Sequence, residues 1–267
     1  MKTARLVAVL VIAAIALGSV VGGFLPRFDY ARQDRDQIDA GPSSAHWLGT
    51  DSLGRDRFAR LLHGTRVSLL LAPAAAALSM LLALAVGAAS GLAGGFAERS
   101  AKATIDLVLS IPWLFLLLMV RALLPLNTSP ALSAVVTFTV LGVLGWAAPA
   151  RILQAHASRL RQSQFMLLGC ASGITRGRLL WRQMLPNLRP VLLAQFWISV
   201  PIFILAEANL SLLGLGVAEP LPSLGSLLRE METVLSLGGD FCRLAALLVL
   251  VAVVSSLQIA VSHKEAY

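Results

Sequence analysis

Between Val67 and Leu92 the chain reads VSLLLAPAAAALSMLLALAVGAASGL, 26 residues with no charge among them. An α-helix needs about 20 mostly apolar residues to cross the hydrocarbon core of a bilayer, so this stretch is expected to span a membrane. Working outward, five further segments qualify: Leu6–Leu25, Ile105–Leu124, Ala131–Ala150, Val191–Leu213 and Leu244–Val261. Composition agrees, with 57% apolar residues, 13% charged residues and a mean hydropathy of +0.78. A soluble domain is roughly a quarter charged, and so much apolar surface is incompatible with a disordered chain. The sequence therefore specifies an all-α integral membrane protein with six transmembrane helices. The first segment follows Lys2 and Arg5 as a secretory signal would. Its apolar run is too long for a signal core and no clean cleavage site precedes Pro26, so it is read as a retained helix.

A formal charge of +8 does not point to nucleic acid: only three of the 22 basic residues are lysines, and the arginines lie between apolar runs instead of forming one face. With the N-terminus inside, the inner segments carry 12 of these residues, seven of them in the loop 151–190, and the outer segments carry nine. Seven of those nine share one stretch with six aspartates, so the remaining loops show the positive-inside bias, and both termini are expected in the cytoplasm. Cys170 and Cys242 then fall on opposite sides, which argues against a disulfide. The chain divides into an N-terminal transmembrane helix (1–25), an extracytoplasmic segment (26–66), a five-helix core (67–262) that includes the loop 151–190, and a cytoplasmic tail (263–267).

Within the outer segment, Leu53, Phe58, Leu61 and Leu62 share one helical face, and Arg55, Asp56, Arg57 and Arg60 the other. This predicts an amphipathic helix at the membrane interface over Ser52–His63, capped by Asp51 or Ser52, that orients the second span or meets a partner. The loop Arg151–Pro190 predicts a helical elbow. Ile152, Leu153, Leu160, Phe165 and Leu168 recur at roughly helical spacing; Gly173 makes a turn; a short piece, Thr175–Met184, ends at Leu185-Pro186-Asn187. An elbow of that kind suits a groove on a cytoplasmic partner.

Catalytic signatures are missing. No GxxxxGK[ST] loop, HExxH pair or GxSxG elbow occurs, which leaves the chain without the means to hydrolyse ATP, with no metal site and no mark of an enzyme. Asp106, Arg121 and Glu207 are the charges inside spans, and such residues are costly enough to be functional candidates. All three sit off-centre. Arg121 is expected to snorkel to headgroups, and Pro112 and Pro201 to kink their helices.

Three blocks resemble the permease subunits of binding-protein-dependent ABC importers, in the dipeptide, oligopeptide and nickel group. The first runs His46-Trp47-Leu48-Gly49-Thr50-Asp51-Ser52-Leu53-Gly54-Arg55-Asp56 and on through Arg60 to Leu69. The second is the coupling-loop signature, to which Gly173 and Leu185-Pro186 conform in spacing. The third is Glu207-Ala208-Asn209-Leu210-Ser211-Leu212-Leu213-Gly214-Leu215-Gly216-Val217, followed by Pro220, Pro222-Ser223 and Gly225. The resemblance implies a type I importer permease architecture in the bacterial inner membrane. It also implies a second homologous permease, two ATPase subunits that bind ATP and Mg, and a periplasmic or lipid-anchored solute-binding protein. Leu167–Leu185 would be the coupling region, and this chain would bind no cofactor itself.

The chain departs from the family where the coupling signature is most specific: the acidic residue falls at Leu167, its alanines at Leu168 and Gly169, and the isoleucine at Gln183. That loses a capping or salt-bridging carboxylate and predicts an ATPase contact that is more apolar, weaker or shared unequally with the partner permease. Glu207, Asn209 and Arg121 remain candidates for the pathway or for structural anchoring. A secondary transporter would show related halves and midplane charges, which are not seen. A divergent subunit that assembles without transporting is the other rival; nucleotide-dependent uptake separates it from an importer. No His or Met cluster in the spans favours nickel, so peptides are the expected cargo.

Overall fold

The computed structural model describes residues 2–22, 29–123, 128–235 and 241–262 of the chain. Its elements are α1 (Lys2–Gly22), α2 (Arg57–Ala83), α3 (Ala89–Ala93), α4 (Gly95–Ser110), α5 (Trp113–Leu123), α6 (Pro130–Leu144), α7 (Ala147–Arg161), α8 (Gln164–Ala171), α9 (Arg176–Leu179), α10 (Leu185–Leu212), α11 (Leu224–Leu235) and α12 (Ala245–Ser262). A π-helical turn, Leu84–Ala88, joins α2 to α3, and a second, Leu180–Met184, joins α9 to α10.

Four helical runs are long and apolar enough to cross a membrane: Thr3–Gly22, Arg57–Ala93, Pro130–Arg161 and Gly177–Leu212. α4 and α5 qualify together but meet at 83°, and the shorter apolar run Ala245–Ala260 lies in α12. Among the described residues this set is compatible with six spans. The expected ends of the first and third spans, Gly23–Leu25 and Leu124, and the tail 263–267 lie outside the described residues.

Several local expectations are corrected. Pro112 does not merely kink the third span; it divides it. Proline disfavours the helical region for the residue before it, and Ile111 is extended (φ −82°, ψ 127°), so the chain turns sharply there. Pro201, by contrast, lies inside α10, which runs from Leu185 to Leu212 without a break. The short elbow piece likewise does not stop at Leu185-Pro186. Pro186 follows directly on the π turn Leu180–Met184, an irregular turn that accommodates the bond its missing N–H cannot make, and elbow and span are one continuous helical run from Gly177 to Leu212. No separate interfacial helix forms over Ser52–His63 either. α2 starts at Arg57, capped by Asp56, whose carboxylate accepts the Ala59 N–H at 2.8 Å; neither Asp51 nor Ser52 is the cap. The expected polarity is also partly reversed, because Arg60 is fully buried while Leu53 is 44% exposed.

Small residues set how closely the spans pack. In lipid, helix association rests on close van der Waals fit, which small side chains permit. Ala72, Ala75 and Ala76 of α2 are buried in one cluster with Phe138 and Leu141 of α6. Where the run α2–α3 meets α7, Gly87 and Gly91 leave no room for a methyl group. A Cβ on Gly87 would lie 2.4 Å from the Ala150 carbonyl oxygen, and one on Gly91 would lie 2.7 Å from Ala157 Cβ. The 37 residues from Arg57 to Ala93 form one apolar helical run, about 55 Å long at 1.5 Å per residue. One end of the molecule therefore carries residues 29–56 and the other carries the elbow.

Candidate functional site

At the α2 N-terminus the motif residues form a closed turn. Gly49 and Gly54 both have positive φ (73° and 72°), and a side chain on Gly54 would strike the Asp34 carbonyl. Thr50 is buried, with its hydroxyl bonded to the Gln37 carbonyl and accepting the Ala40 N–H at 2.9 Å. Asp51 organises the turn: Oδ1 accepts the backbone N–H groups of Leu53 (2.9 Å) and Arg55 (2.8 Å), and Oδ2 accepts Arg55 Nε at 2.6 Å. Asp56, besides capping α2, holds His46 Nδ1 at 2.7 Å.

This turn is locked to a distant part of the chain. Arg55 Nη1 donates to Glu219 at 2.8 Å, and Arg60 Nη2 donates to Glu230 of α11. Ser68 of α2 accepts the Leu224 N–H that opens α11, at 3.2 Å. Burial opposes the charge on Arg55, but hydrogen bonds to Glu219 and Asp51 outweigh it and raise the guanidinium pKa further. Glu230 moves the other way in effect: burial raises its carboxyl above the usual value despite the opposing pull of Arg60 and Arg55. Two of the family-like blocks, read separately in the sequence, thus meet in one cluster of Asp51, Arg55, Arg60, Glu219 and Glu230.

The third block supports that cluster from below. Glu207 is fully buried and accepts the hydroxyls of Ser211 (2.6 Å) and Ser223 (2.7 Å) through one oxygen, Oε1. It ties the last turns of α10 to the segment entering α11. Arg121 pins the same loop from the other side, donating to Ser133 Oγ (3.2 Å) and the Gly216 carbonyl (3.3 Å). At 1% exposure it does not snorkel, which corrects the sequence expectation. Asn209 stands apart from both. It is exposed on α10, on the face that also bares Ile202, Leu205 and Leu212.

The elbow lies at the opposite end. α7 leads through Ser163 into α8, Gly173 turns the chain with φ 73°, and α9 and the second π turn return it to α10. Met166, Leu179, Met184 and Leu188 are buried together with Ala88 and Ala157. Gly169 is inside as well, since a Cβ there would lie 2.7 Å from Leu179 Cδ2. Leu167 and Leu168 face outward, 56% and 67% exposed, as do Phe165 and Trp181. The expected coupling residues therefore divide into an exposed apolar pair and a packed interior around Gly169, with Leu185 and Pro186 in the first turn of α10.

Residues 65–265 match the family described as binding-protein-dependent transport system inner membrane component. The chain belongs to that family. It is 32% identical to the oligopeptide transport system permease protein OppC of Bacillus subtilis (strain 168) over 222 residues, covering 83% of this chain and 71% of that one. Against the dipeptide transport system permease protein DppC of the same organism it is 31% identical, over 82% of this chain and 67% of the other. The glutathione transport system permease protein GsiD of Pectobacterium atrosepticum is 33% identical over 75% and 64% of the two chains. This transport-system component is thus a multi-pass membrane protein and a permease subunit of an ABC importer. The sequence already marked the motif turn, Glu207 and Arg60, the last on a polar face where the structure buries it, but it missed Glu230 and the paired Gly87 and Gly91, of which only the glycine spacing is visible in the sequence.

Proposed function

We propose that this permease pairs with a second, homologous permease to form the path for peptides handed over by a periplasmic or lipid-anchored binding protein. Two ATPase subunits, which bind ATP and Mg, drive the pair; this chain is non-catalytic. An even number of spans puts both termini on one side, and the positive-inside bias of the loops supports reading that side as the cytoplasm of a bacterial cell, with the arginine-rich elbow inside and the Asp51–Arg55–Glu219 cluster outside. The peptide assignment rests on relatives named for oligopeptide, dipeptide and glutathione transport.

The observation that carries the coupling role is the bared apolar surface of the elbow. Leu167 and Leu168 project from a short helix whose other side is packed, so they are available to a groove on an ATPase subunit. An ATPase that closes on nucleotide moves α8. The buried Met166, Leu179, Met184 and Leu188 pass that movement to α10, which continues from the elbow into the membrane. The two-state switch then belongs to the spans, and its free energy to nucleotide bound elsewhere.

The test is reconstitution. The chain, purified with its co-expressed second permease and ATPases in proteoliposomes, is expected to accumulate a labelled peptide only with binding protein outside and ATP inside. Leu168→Asp is expected to abolish co-purification of the ATPase. Uptake without nucleotide overturns the proposal, and so does uptake by a complex that contains no ATPase.

A further inference from the structure

A cavity of about 500 Å³ opens between α4 and α7, beside the elbow, and the site described above does not use it. Ile105 and Gln154 are buried at its wall, and Lys102, Arg151 and Arg159 line it together with a single carboxylate, Glu98. The acids nearby are already engaged. Glu98 accepts Ser158 Oγ at 2.6 Å and Arg161 Nη2 at 3.0 Å, and Asp106 is paired with Arg151. Lys102 and Arg159 are left exposed, with no partner among the described residues.

Their depth suggests what compensates them. Arg151 follows directly on the apolar run 131–150, so the Asp106–Arg151 pair marks the edge of the hydrocarbon. Lys102 lies one turn of α4 beyond Asp106, about 6 Å at the helical rise, within the polar headgroup layer of roughly 5–8 Å. Arg159 lies two turns of α7 beyond Arg151, and its long side chain can reach back towards the same layer. On the membrane side of the pair, Leu107 of α4 is exposed and apolar, a surface for acyl chains.

We infer that this cavity is a phosphate-binding site filled by the headgroup of an acidic phospholipid of the inner leaflet, held by Lys102 and Arg159 and bounded by Arg151. Basic pockets between spans on the cytoplasmic side take such headgroups. The inference rests on the inward placement of the elbow.

The experiment counts lipids. The full chain, purified with its co-expressed subunits, is placed in nanodiscs of phosphatidylcholine and phosphatidylglycerol in equal amounts, and bound phosphatidylglycerol is counted by native mass spectrometry after detergent exchange. Lys102→Gln combined with Arg159→Gln is expected to lower the retained phosphatidylglycerol about tenfold or more. Arg99→Gln, which removes an exposed cation of α4 outside the cavity, is expected to leave it unchanged. Melting in pure phosphatidylcholine is expected to match wild type for the double variant, which separates lost binding from lost folding. Equal retention by wild type and double variant overturns the proposal. Inorganic phosphate that binds the lipid-free protein and displaces phosphatidylglycerol overturns the lipid source. Unchanged retention with loss of the ATPase makes the cations a protein-docking surface and also overturns it. Retention does not depend on uptake, so a failed transport assay with lipid binding intact strikes the transport reading and supports this site.

Discussion

Arg60 is among the largest side chains with no exposure at all, and it is held by Glu230, a residue 170 positions away. Its Nε and Nη1 make no hydrogen bond, so Glu230 and the nearby Asp51 carboxylate, 3.7 Å from Nε, carry its compensation. Breaking a buried pair by removing one partner costs about 3–5 kcal/mol, because the other charge stays behind. Glu230 keeps 30% exposure, so Arg60→Ala is expected at the lower end of that range, seen as a lowered midpoint of thermal unfolding in detergent. Glu219, with a side chain 53% exposed, offers a contrast: Glu219→Gln is expected to cost no more than about 1 kcal/mol. Equal losses for the two variants would mean that burial does not govern the cluster. Glu230 also sets a pH dependence. Its carboxyl pKa is raised by burial, so the folded state takes up its proton more readily than the unfolded chain does. As pH rises from the usual carboxylate value through the raised one, this group lowers stability. Glu230→Gln is expected to flatten that interval of the stability–pH profile, and an unchanged slope would refute the assignment. Of these residues the sequence made Asp51 and Arg55 legible, because a dense local motif holds them. It assigned Arg60 to a solvated face, since helical periodicity cannot register a contact with a carboxylate on another element.

The elbow was legible as an element and misjudged in its joints. Apolar spacing and Gly173 locate helix, turn and helix, but they make Leu185-Pro186 a stop, because proline disfavours a helix interior. The π turn at Leu180–Met184, directly before Pro186, lets the helix continue instead. The first π turn, Leu84–Ala88, shares a buried cluster with the second through Leu84, Ala88, Leu180 and Met184. Both irregular turns therefore lie where the elbow meets the spans. On α8 itself, Leu167 is the fourth residue of a helix whose first turn carries no acid. A carboxylate there faces the positive end of the helix dipole and stays exposed, so Leu167→Glu stabilises α8 by about 0.3–1 kcal/mol and restores the acid of the coupling signature. Transport-linked ATP hydrolysis by the reconstituted complex is expected to be preserved or raised. Loss of the complex on this substitution would count against placing the acidic position of the coupling signature at Leu167.

At the scale of the molecule the two ends are built differently. At one end the Arg55–Glu219, Arg60–Glu230 and Glu207–Ser223 contacts bind α2, α10 and α11 through charge-assisted hydrogen bonds between separate segments, braced by the local Asp51–Arg55 and Glu207–Ser211 bonds. At the other, α8 and α9 are short helices held by an apolar cluster and joined through a glycine turn and a π turn. Directional ionic contacts between buried groups resist sliding, whereas small apolar contacts around irregular turns permit discrete shifts. A nucleotide cycle is therefore expected to move the elbow end about a fixed motif end. Hydrogen exchange of the reconstituted complex, compared with and without ATP trapped by vanadate, reads this directly. Amides of residues 163–184 are expected to change protection, while those of Asp51, Gly54, Arg55 and Leu224, each hydrogen-bonded within the cluster, stay constant. Equal changes at both ends would mean that the whole chain tilts as one body, and the division into anchor and lever would fall.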